Sequence, residues 1–295
     1  MTQLLLNVIL PLYLLVGLGF LIGKAKPQLE TKTISFLVLY LFAPALIFSS
    51  FREVSVSLKS FTCIFLTALG VFVLVLAASA AVEKVFLGKR NPAFELSATV
   101  MNAGYLGIPL IYLMFGEPAL PIAVNYMVVM AVLHFTLGIA VLNSDNLREG
   151  LKAALKIPLV YAAVLSFLLK GVYLPPGIEK TLKLTGNATM PLMLVSIGIS
   201  LSRISVEEFK EAVAATAVRF VGGAASAAAV VSLLKCPPQM AKALIVQSAL
   251  PSAILNYVLC EQFNRSPRLA ASVIFVSTVT FPFFLLILQA ALGRL

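Results

Sequence analysis

Long apolar stretches follow one another along the whole chain, separated by short segments that carry charges, proline or glycine. A helix that crosses a hydrocarbon core about 30 Å thick needs roughly 20 apolar residues. The pattern therefore predicts ten membrane-spanning helices and leaves no stretch for a soluble domain. Their approximate bounds are Leu4–Gly23, Ile34–Phe51, Phe61–Val82, Phe94–Phe115, Leu120–Leu142, Ile157–Leu174, Leu182–Leu201, Ala212–Leu234, Met240–Glu261 and Leu269–Leu292.

Composition supports this interpretation. Hydrophobic residues make up 60% of the chain and charged residues 12%, whereas soluble domains are roughly 45–50% apolar. The chain is therefore expected to be a multi-pass protein of the lipid bilayer, and we place it in the plasma membrane.

The distribution of basic residues predicts the orientation of the spans. The odd-numbered connections hold thirteen Lys and Arg, whereas the even-numbered connections and the C-terminus hold eight; Arg219, inside a helix, completes the twenty-two. Since positive connections stay in the cytoplasm, both termini are expected outside it. The net charge of +10 then reflects topology, and no nucleic-acid partner is predicted.

Prolines recur at a fixed spacing in the two halves of the chain. The spacing is 147 residues between Pro11 and Pro158 and between Pro44 and Pro191. It is 145 residues for three further pairs of equal or similar residues, namely Pro92 and Pro237, Asn102 and Gln247, and Tyr112 and Tyr257. With five helices in each half, the second half enters the membrane from the opposite side, as in the inverted repeats of secondary transporters. The predicted units are a first repeat over residues 1–143, a cytoplasmic linker over 144–156 and a second repeat over 157–295.

The fourth and ninth predicted spans carry residues that interrupt membrane helices. "MNAGYLGIPL" contains Asn102 about 12 Å from the start of its span, and "VQSALPSAILNY" contains Pro251 roughly 16 Å from the start of its own. Gly104 and Gly107 allow non-helical backbone and close approach, and each proline removes an amide donor. Two breaks at similar depth should cross and line a cavity, since lipid cannot satisfy irregular backbone.

Such a crossing suits a carboxylate, because the N-termini of the half-helices carry partial positive charge. The candidate substrate-binding residues are Asn102, Gly104, Gly107, Pro109, Gln247, Ser248, Pro251, Ser252 and Asn256. Packing explains most small residues in membrane helices, and we favour it for Gly19-x-x-x-Gly23 but not for the paired breaks. Arg219 has two interpretations, a countercharge to the substrate or, as we favour, a clamp on backbone carbonyls.

Other kinds of site lack support in the sequence. Cys63, Cys236 and Cys260 have no metal-ligand spacing, and His134 has no neighbouring ligand, so neither a metal nor a cofactor is predicted. Glu83, Glu95, Glu117 and Glu261 lie near span ends, where a solvated role is expected rather than catalysis. The chain carries neither a hydrolase motif nor a nucleotide-binding loop, so an enzyme is not expected. A channel would need a ring of like residues from several subunits, whereas paired breaks within one chain favour a closed binding site.

Several of these segments resemble the auxin efflux carrier family, which includes plant PIN carriers and bacterial malonate-type permeases. The resemblance lies in "LPLYLLVGLGFLIGK", "LYLFAPALIFSSF", "NAGYLGIPL", "AVRFVGG" and "IVQSALPSAILNYVLCEQFNRSP". Met101 stands where plant members often have proline, and Phe61 to Leu76 lacks the carboxylate and lysine that they carry early in the third helix. The long regulatory loop of plant members is absent as well.

The resemblance implies an all-helical bundle of ten helices related to bile acid symporters and sodium–proton antiporters. Helices one, two, six and seven would form a scaffold, and helices three to five and eight to ten a moving transport domain. The implied function is elevator-type transport of small organic anions, as a secondary active transporter or a uniporter. The alternative is a sodium- or proton-coupled symporter of bile-acid-like or dicarboxylate substrates. A homodimer through the scaffold helices is left open.

Overall fold

The computed structural model describes residues 2–53, 57–142 and 172–293, together with 158, 161, 162, 165, 168 and 169. Helices make up its regular structure, and no strand is found in this part of the chain. Their bounds are α1 Thr2–Ala25, α2 Thr31–Ser49, α3 Leu58–Val85, α4 Pro92–Thr99, α5 Gly107–Phe115, α6 Glu117–Leu142, α7 Pro176–Leu201, α8 Phe209–Leu233, α9 Pro238–Ser248, α10 Ile254–Gln262 and α11 Pro267–Leu292.

The long helices agree with a protein that crosses the membrane several times. Within the described residues, seven helices are long and apolar enough to span a bilayer, namely α1, α2, α3, α6, α7, α8 and α11. The fourth and ninth predicted spans are interrupted, as the sequence indicated, and form the half-helices α4 with α5 and α9 with α10. Most of the sixth predicted span and the linker over 144–156 lie outside the described residues.

Helix α1 packs closely along α7 because small residues lie in the contact. A Cβ atom on Gly19 would overlap the Val195 carbonyl, and one on Gly198 would overlap the Val16 carbonyl. The packing role expected for Gly19 is therefore confirmed. The first turns of α7 also pack against α2, where a Cβ on Gly186 would lie 2.9 Å from the Leu46 Cα.

The other helices surround the interrupted ones. Helix α3 packs against α4, α6 and α8, whereas α11 packs against α4, α8 and α10. The Tyr13 hydroxyl of α1 donates to the Thr278 carbonyl of α11 at 2.7 Å and so joins the α1–α2–α7 group to this second group.

The junction of α3 and α4 contains two buried acids. Glu83 and Glu95 are each 1% exposed, so the solvated position expected for them is wrong. Both find partners that periodicity does not reveal. The Asn91 amide donates to the Glu83 Oε1 at 2.7 Å, and the Arg90 guanidinium donates to both oxygens of Glu95 at 2.7 and 2.9 Å. These bonds compensate Glu95 for the loss of hydration on burial, and they compensate Glu83 at one of its two oxygens.

Candidate functional site

The two interrupted helices cross at their breaks and are joined there by backbone hydrogen bonds. The Asn102 amide donates to the Pro251 carbonyl at 2.8 Å, and the Ala253 amide donates to the Val100 carbonyl at 3.1 Å. Met101 and Ser252 form an isolated antiparallel bridge between these bonds. The pairing supplies backbone partners that lipid cannot provide.

Proline and a close approach explain the local backbone better than glycine flexibility does. Pro109 is the third residue of α5, where its ring prevents the helix from extending backwards. Neither Gly104 nor Gly107 has a positive φ. Gly107 is needed for space, since a Cβ there would lie 2.8 Å from the Leu250 Cδ1 and 3.3 Å from the Gln247 Nε2. At Gly104 the nearest atom would be the Met127 Cγ at 3.4 Å.

The starts of the half-helices allow the two breaks to be compared in the structure. Helix α10 begins 147 residues after α5 (254 − 107). Gln247 lies inside α9, whereas Asn102 lies beyond the end of α4. Helices α4 and α9 begin 146 residues apart (238 − 92), so the half-helices do not share one offset. The pairing of Asn102 with Gln247 stays a prediction.

Arg219 holds the C-terminal ends of two half-helices together. Its side chain is completely buried and donates to the Ala98 and Thr99 carbonyls of α4 and, at 2.6 Å, to the Ser248 carbonyl of α9. It projects from a π-helical turn, Val218–Gly222, a local widening often found at functional sites. Helix C-termini carry partial negative charge, so the clamp interpretation of Arg219 is confirmed.

Asn102 is the amide side chain at the crossing that remains available. It is 7% exposed, and no hydrogen bond to its side-chain amide is found among the described residues. Its carbonyl accepts from the Gly107 amide at 3.1 Å, which places the residue beside the N-terminus of α5. The Asn102 amide is not among the completely buried polar atoms that lack a partner. It is therefore accessible to water or to a ligand.

The other polar candidates hold the crossing together. The Gln247 Nε2 donates to the Ala103 carbonyl at 3.2 Å and to the Ala123 carbonyl at 2.9 Å, which occupies both of its protons. The Asn256 Nδ2 donates to the Val100 carbonyl at 3.0 Å and to the Ser252 Oγ at 2.9 Å.

Hydroxyl groups complete this network. The Ser248 Oγ lies 2.7 Å from the Tyr126 hydroxyl, and the Ser252 amide donates to the Ser277 Oγ at 3.1 Å. The Ser252 hydroxyl accepts from Asn256 but has no acceptor for its own proton among the described residues. It could therefore donate to a ligand.

A cleft of about 620 Å³ separates α1, α2 and α7 from α5 and α6. Its walls are mostly apolar, and among the nine candidate residues it is Pro109 that lines it. Its polar lining residues, which the sequence analysis did not select, are Ser49, Tyr112, Glu117, Lys183 and Asn187. Lys183 lies inside α7 and is the second residue of the predicted seventh span. Its position near the start of an apolar run was the available signal.

The remaining titratable candidates do not assemble a metal centre in the described part of the chain. No group of three His, Cys, Asp or Glu residues that could hold a metal ion is found there. His134 is 3% exposed, and its ring lies 5.9 Å from that of Phe135.

Comparison with known proteins identifies relatives over nearly the whole chain. A family model described as "membrane transport protein" matches residues 4–153 and 147–289. An uncharacterized transporter of Methanocaldococcus jannaschii is 28% identical over 291 residues, which cover 92% of this chain and 94% of that protein. An uncharacterized transporter of Methanothermobacter thermautotrophicus is 28% identical over 189 residues, which cover 62% of each chain.

Proposed function

The chain belongs to the membrane transport protein family of auxin efflux carriers, and from this premise we propose that it carries small organic anions with a carboxylate group across the plasma membrane. The observation that carries the proposal is the crossing of α4–α5 with α9–α10, where an available amide lies beside a helix N-terminus. The chain is a transport protein by family, and we propose that gradients drive it.

The electrostatics of the crossing favour an anion. Arg219 neutralises the negative C-terminal ends of α4 and α9, so the positive N-terminal ends of α5 and α10 are left without an equal opposing charge. In the described part of the chain no carboxylate forms an ion pair with Arg219. Because the Arg219 charge offsets the two negative helix ends, the field that remains at the crossing is that of the positive N-termini of α5 and α10. This field attracts anions in a low-dielectric region.

Within this field we assign the carboxylate to neutral donors. Asn102 would donate from its free side-chain amide and Ser252 from its hydroxyl proton. Gln247 is the weaker candidate, because two carbonyls already accept its protons. A site of neutral amides and helix ends binds reversibly, whereas a buried lysine would have to be desolvated at several kcal/mol on every empty return.

The cleft suggests how the site reaches water. Pro109, which lines the cleft, belongs to the first turn of α5 and so connects the cleft to the crossing. The mostly apolar wall of the cleft suits the hydrocarbon part of an organic acid. The polar side of the cleft is lined by Ser49, Glu117 and Lys183. These residues lie towards the ends of helices that even-numbered connections join. By the predicted topology the cleft therefore opens outside the cytoplasm.

We further propose an elevator-type movement of an inverted repeat of five plus five helices. Helices α1, α2 and α7 would form the fixed part with the sixth predicted span, whereas α3–α6 and α8–α11 would move. The antiparallel crossing and the 147-residue spacing of the breaks support the inverted repeat. The cleft between the two groups supports their relative movement.

A coupled symporter of bile-acid-like or dicarboxylate substrates is the alternative. Uptake measurements separate the two mechanisms. Purified protein is first heated with a panel of aromatic and aliphatic mono- and dicarboxylates, with and without sodium. A stabilising acid is then tested for counterflow in liposomes. We expect stabilisation by at least one carboxylate and not by its amide. Equal stabilisation by acid and amide would refute an anion site, and a strict requirement for sodium would favour the symporter.

A further inference from the structure

A second cleft, of about 680 Å³, lies at the junction of α3 and α4, away from the crossing. One wall is a stripe of α3 formed by Val73, Leu76, Ala77 and Ala80. Val73 is 51% exposed, and both alanines are exposed as well. The small alanine side chains leave room along the helix, and in a membrane this wall faces hydrocarbon.

The other end of the cleft is basic. Lys84, Lys89 and Arg90 line it together with Glu83 and Glu95. Arg90 is bound to Glu95 through two hydrogen bonds, and this pairing raises the pKa of the Arg90 guanidinium. Lys84 and Lys89 are exposed, and in the described part of the chain neither forms an ion pair. Two unpaired cations thus remain at the rim.

The dimensions match one leaflet of a bilayer. Eleven residues separate Val73 from Lys84, which corresponds to about 16 Å of helix. Half of a hydrocarbon core about 30 Å thick is about 15 Å. An acyl chain along the alanines would therefore bring its headgroup phosphate to the level of the two lysines.

Glu83 adds a polar feature at the basic end of the cleft. Its Oε1 accepts from the Asn91 amide, but its buried Oε2 has no partner among the described residues. A headgroup hydroxyl could donate to this oxygen after a small adjustment.

We propose that this cleft binds an anionic phospholipid whose headgroup carries a hydroxyl group, of the phosphatidylglycerol type. The phosphate binds Lys84 and Lys89, the headgroup hydroxyl approaches Glu83, and one acyl chain lies along Val73, Ala77 and Ala80. Basic pockets at the ends of membrane helices bind anionic headgroups in this way. The site is independent of the crossing and of the transported substrate.

The test measures lipid binding by native mass spectrometry of the delipidated full-length protein. Phosphatidylglycerol should bind in preference to phosphatidylcholine, and glycerol 3-phosphate, which lacks acyl chains, should not compete. The double variant Lys84→Gln/Lys89→Gln should lose about thirtyfold in affinity, since each lysine near an anionic surface contributes about a fivefold gain. The matched control is Lys24→Gln/Lys26→Gln, which should bind as the natural protein does.

A second pair of variants tests the groove without changing charge. Ala77→Phe fills the cleft and should reduce binding at least tenfold, whereas Ala229→Phe, at an exposed position of α8 that does not line the cleft, should not. Equal binding of phosphatidylcholine, displacement by glycerol 3-phosphate, or equal effects of the two phenylalanines would each overturn the proposal. None of these results bears on carboxylate transport.

Discussion

At the scale of single residues, the crossing contains two amide side chains that hold the fold and a third that is free to bind. Gln247 and Asn256 are completely buried and donate to backbone carbonyls, whereas the side-chain amide of Asn102 has no partner among the described residues. Residue type alone could not distinguish them, because all three are amides near a break. Their difference depends on which carbonyls the other half of the chain brings within reach.

Asn102→Ala should weaken binding of the transported acid by about ten- to a hundredfold, because one hydrogen bond to a charged group contributes roughly 1.5–3 kcal/mol. Asn102→Asp should abolish binding at neutral pH by repulsion. The control is Asn125→Ala, since the Asn125 amide bonds within its own helix to the Pro121 carbonyl. Binding is measured by thermal stabilisation with the acid found in the screen. Unchanged affinity in the aspartate variant would place the carboxylate elsewhere.

Arg219→Met should destabilise the protein, because carbonyls of both half-helices lose a buried donor. A buried acceptor left without a donor costs about 1–3 kcal/mol, so the loss of three such bonds should total about 3–5 kcal/mol or more. This corresponds to a fall in the unfolding midpoint of roughly 10 °C. Arg203→Met is the control, because Arg203 is exposed beyond the end of α7. Equal midpoints for the two variants would contradict the clamp.

At the scale of elements, the sequence indicated where the helices break but not how the breaks are held. Proline and glycine within the fourth and ninth spans were visible in the chain. The end of α4 at Thr99 precedes all of the residues expected to cause it. That end depends on Arg219, which is 120 residues away in sequence, and on the pairing with Pro251. Such long-range partners leave no periodic signal.

Gly107→Leu should stop transport while leaving a folded protein, because the larger side chain would displace Leu250 and the Gln247 amide. Gly104→Ala should retain most activity, since its Cβ would meet only the Met127 side chain at ordinary contact distance. Counterflow in liposomes measures transport, and gel filtration monitors folding. Full activity of a well-folded Gly107→Leu protein would show that the close crossing is unnecessary.

At the scale of the whole molecule, hydropathy predicted the membrane class and the positions of most spans. The cleft between α7 and α5 could not be predicted, because its lining comes from five helices whose arrangement depends on tertiary packing. The burial of Glu83 and Glu95 was missed for a similar reason, since their partners lie in a short connection rather than on a helix face.

The orientation remains a prediction that labelling can check. In a background without native cysteines, Lys180→Cys should react with a membrane-impermeant maleimide added to intact cells, and Lys89→Cys should react only after lysis. Both lysines are exposed, so accessibility within the protein does not limit either reaction. Labelling of Lys89→Cys in intact cells would show that the protein has the opposite orientation.

The pairing of Val100 and Asn102 with Ala253 and Pro251 has a consequence for biogenesis. When the ribosome has delivered the first break to the bilayer, about 150 residues that include its hydrogen-bond partners have not yet been made. Until they arrive, the backbone there must be hydrated or shielded by the insertion machinery, since hydrocarbon offers no acceptor. The first half of the chain is thus an assembly intermediate, and a nascent chain arrested before Pro251 should depend on chaperoning and be susceptible to quality-control proteolysis.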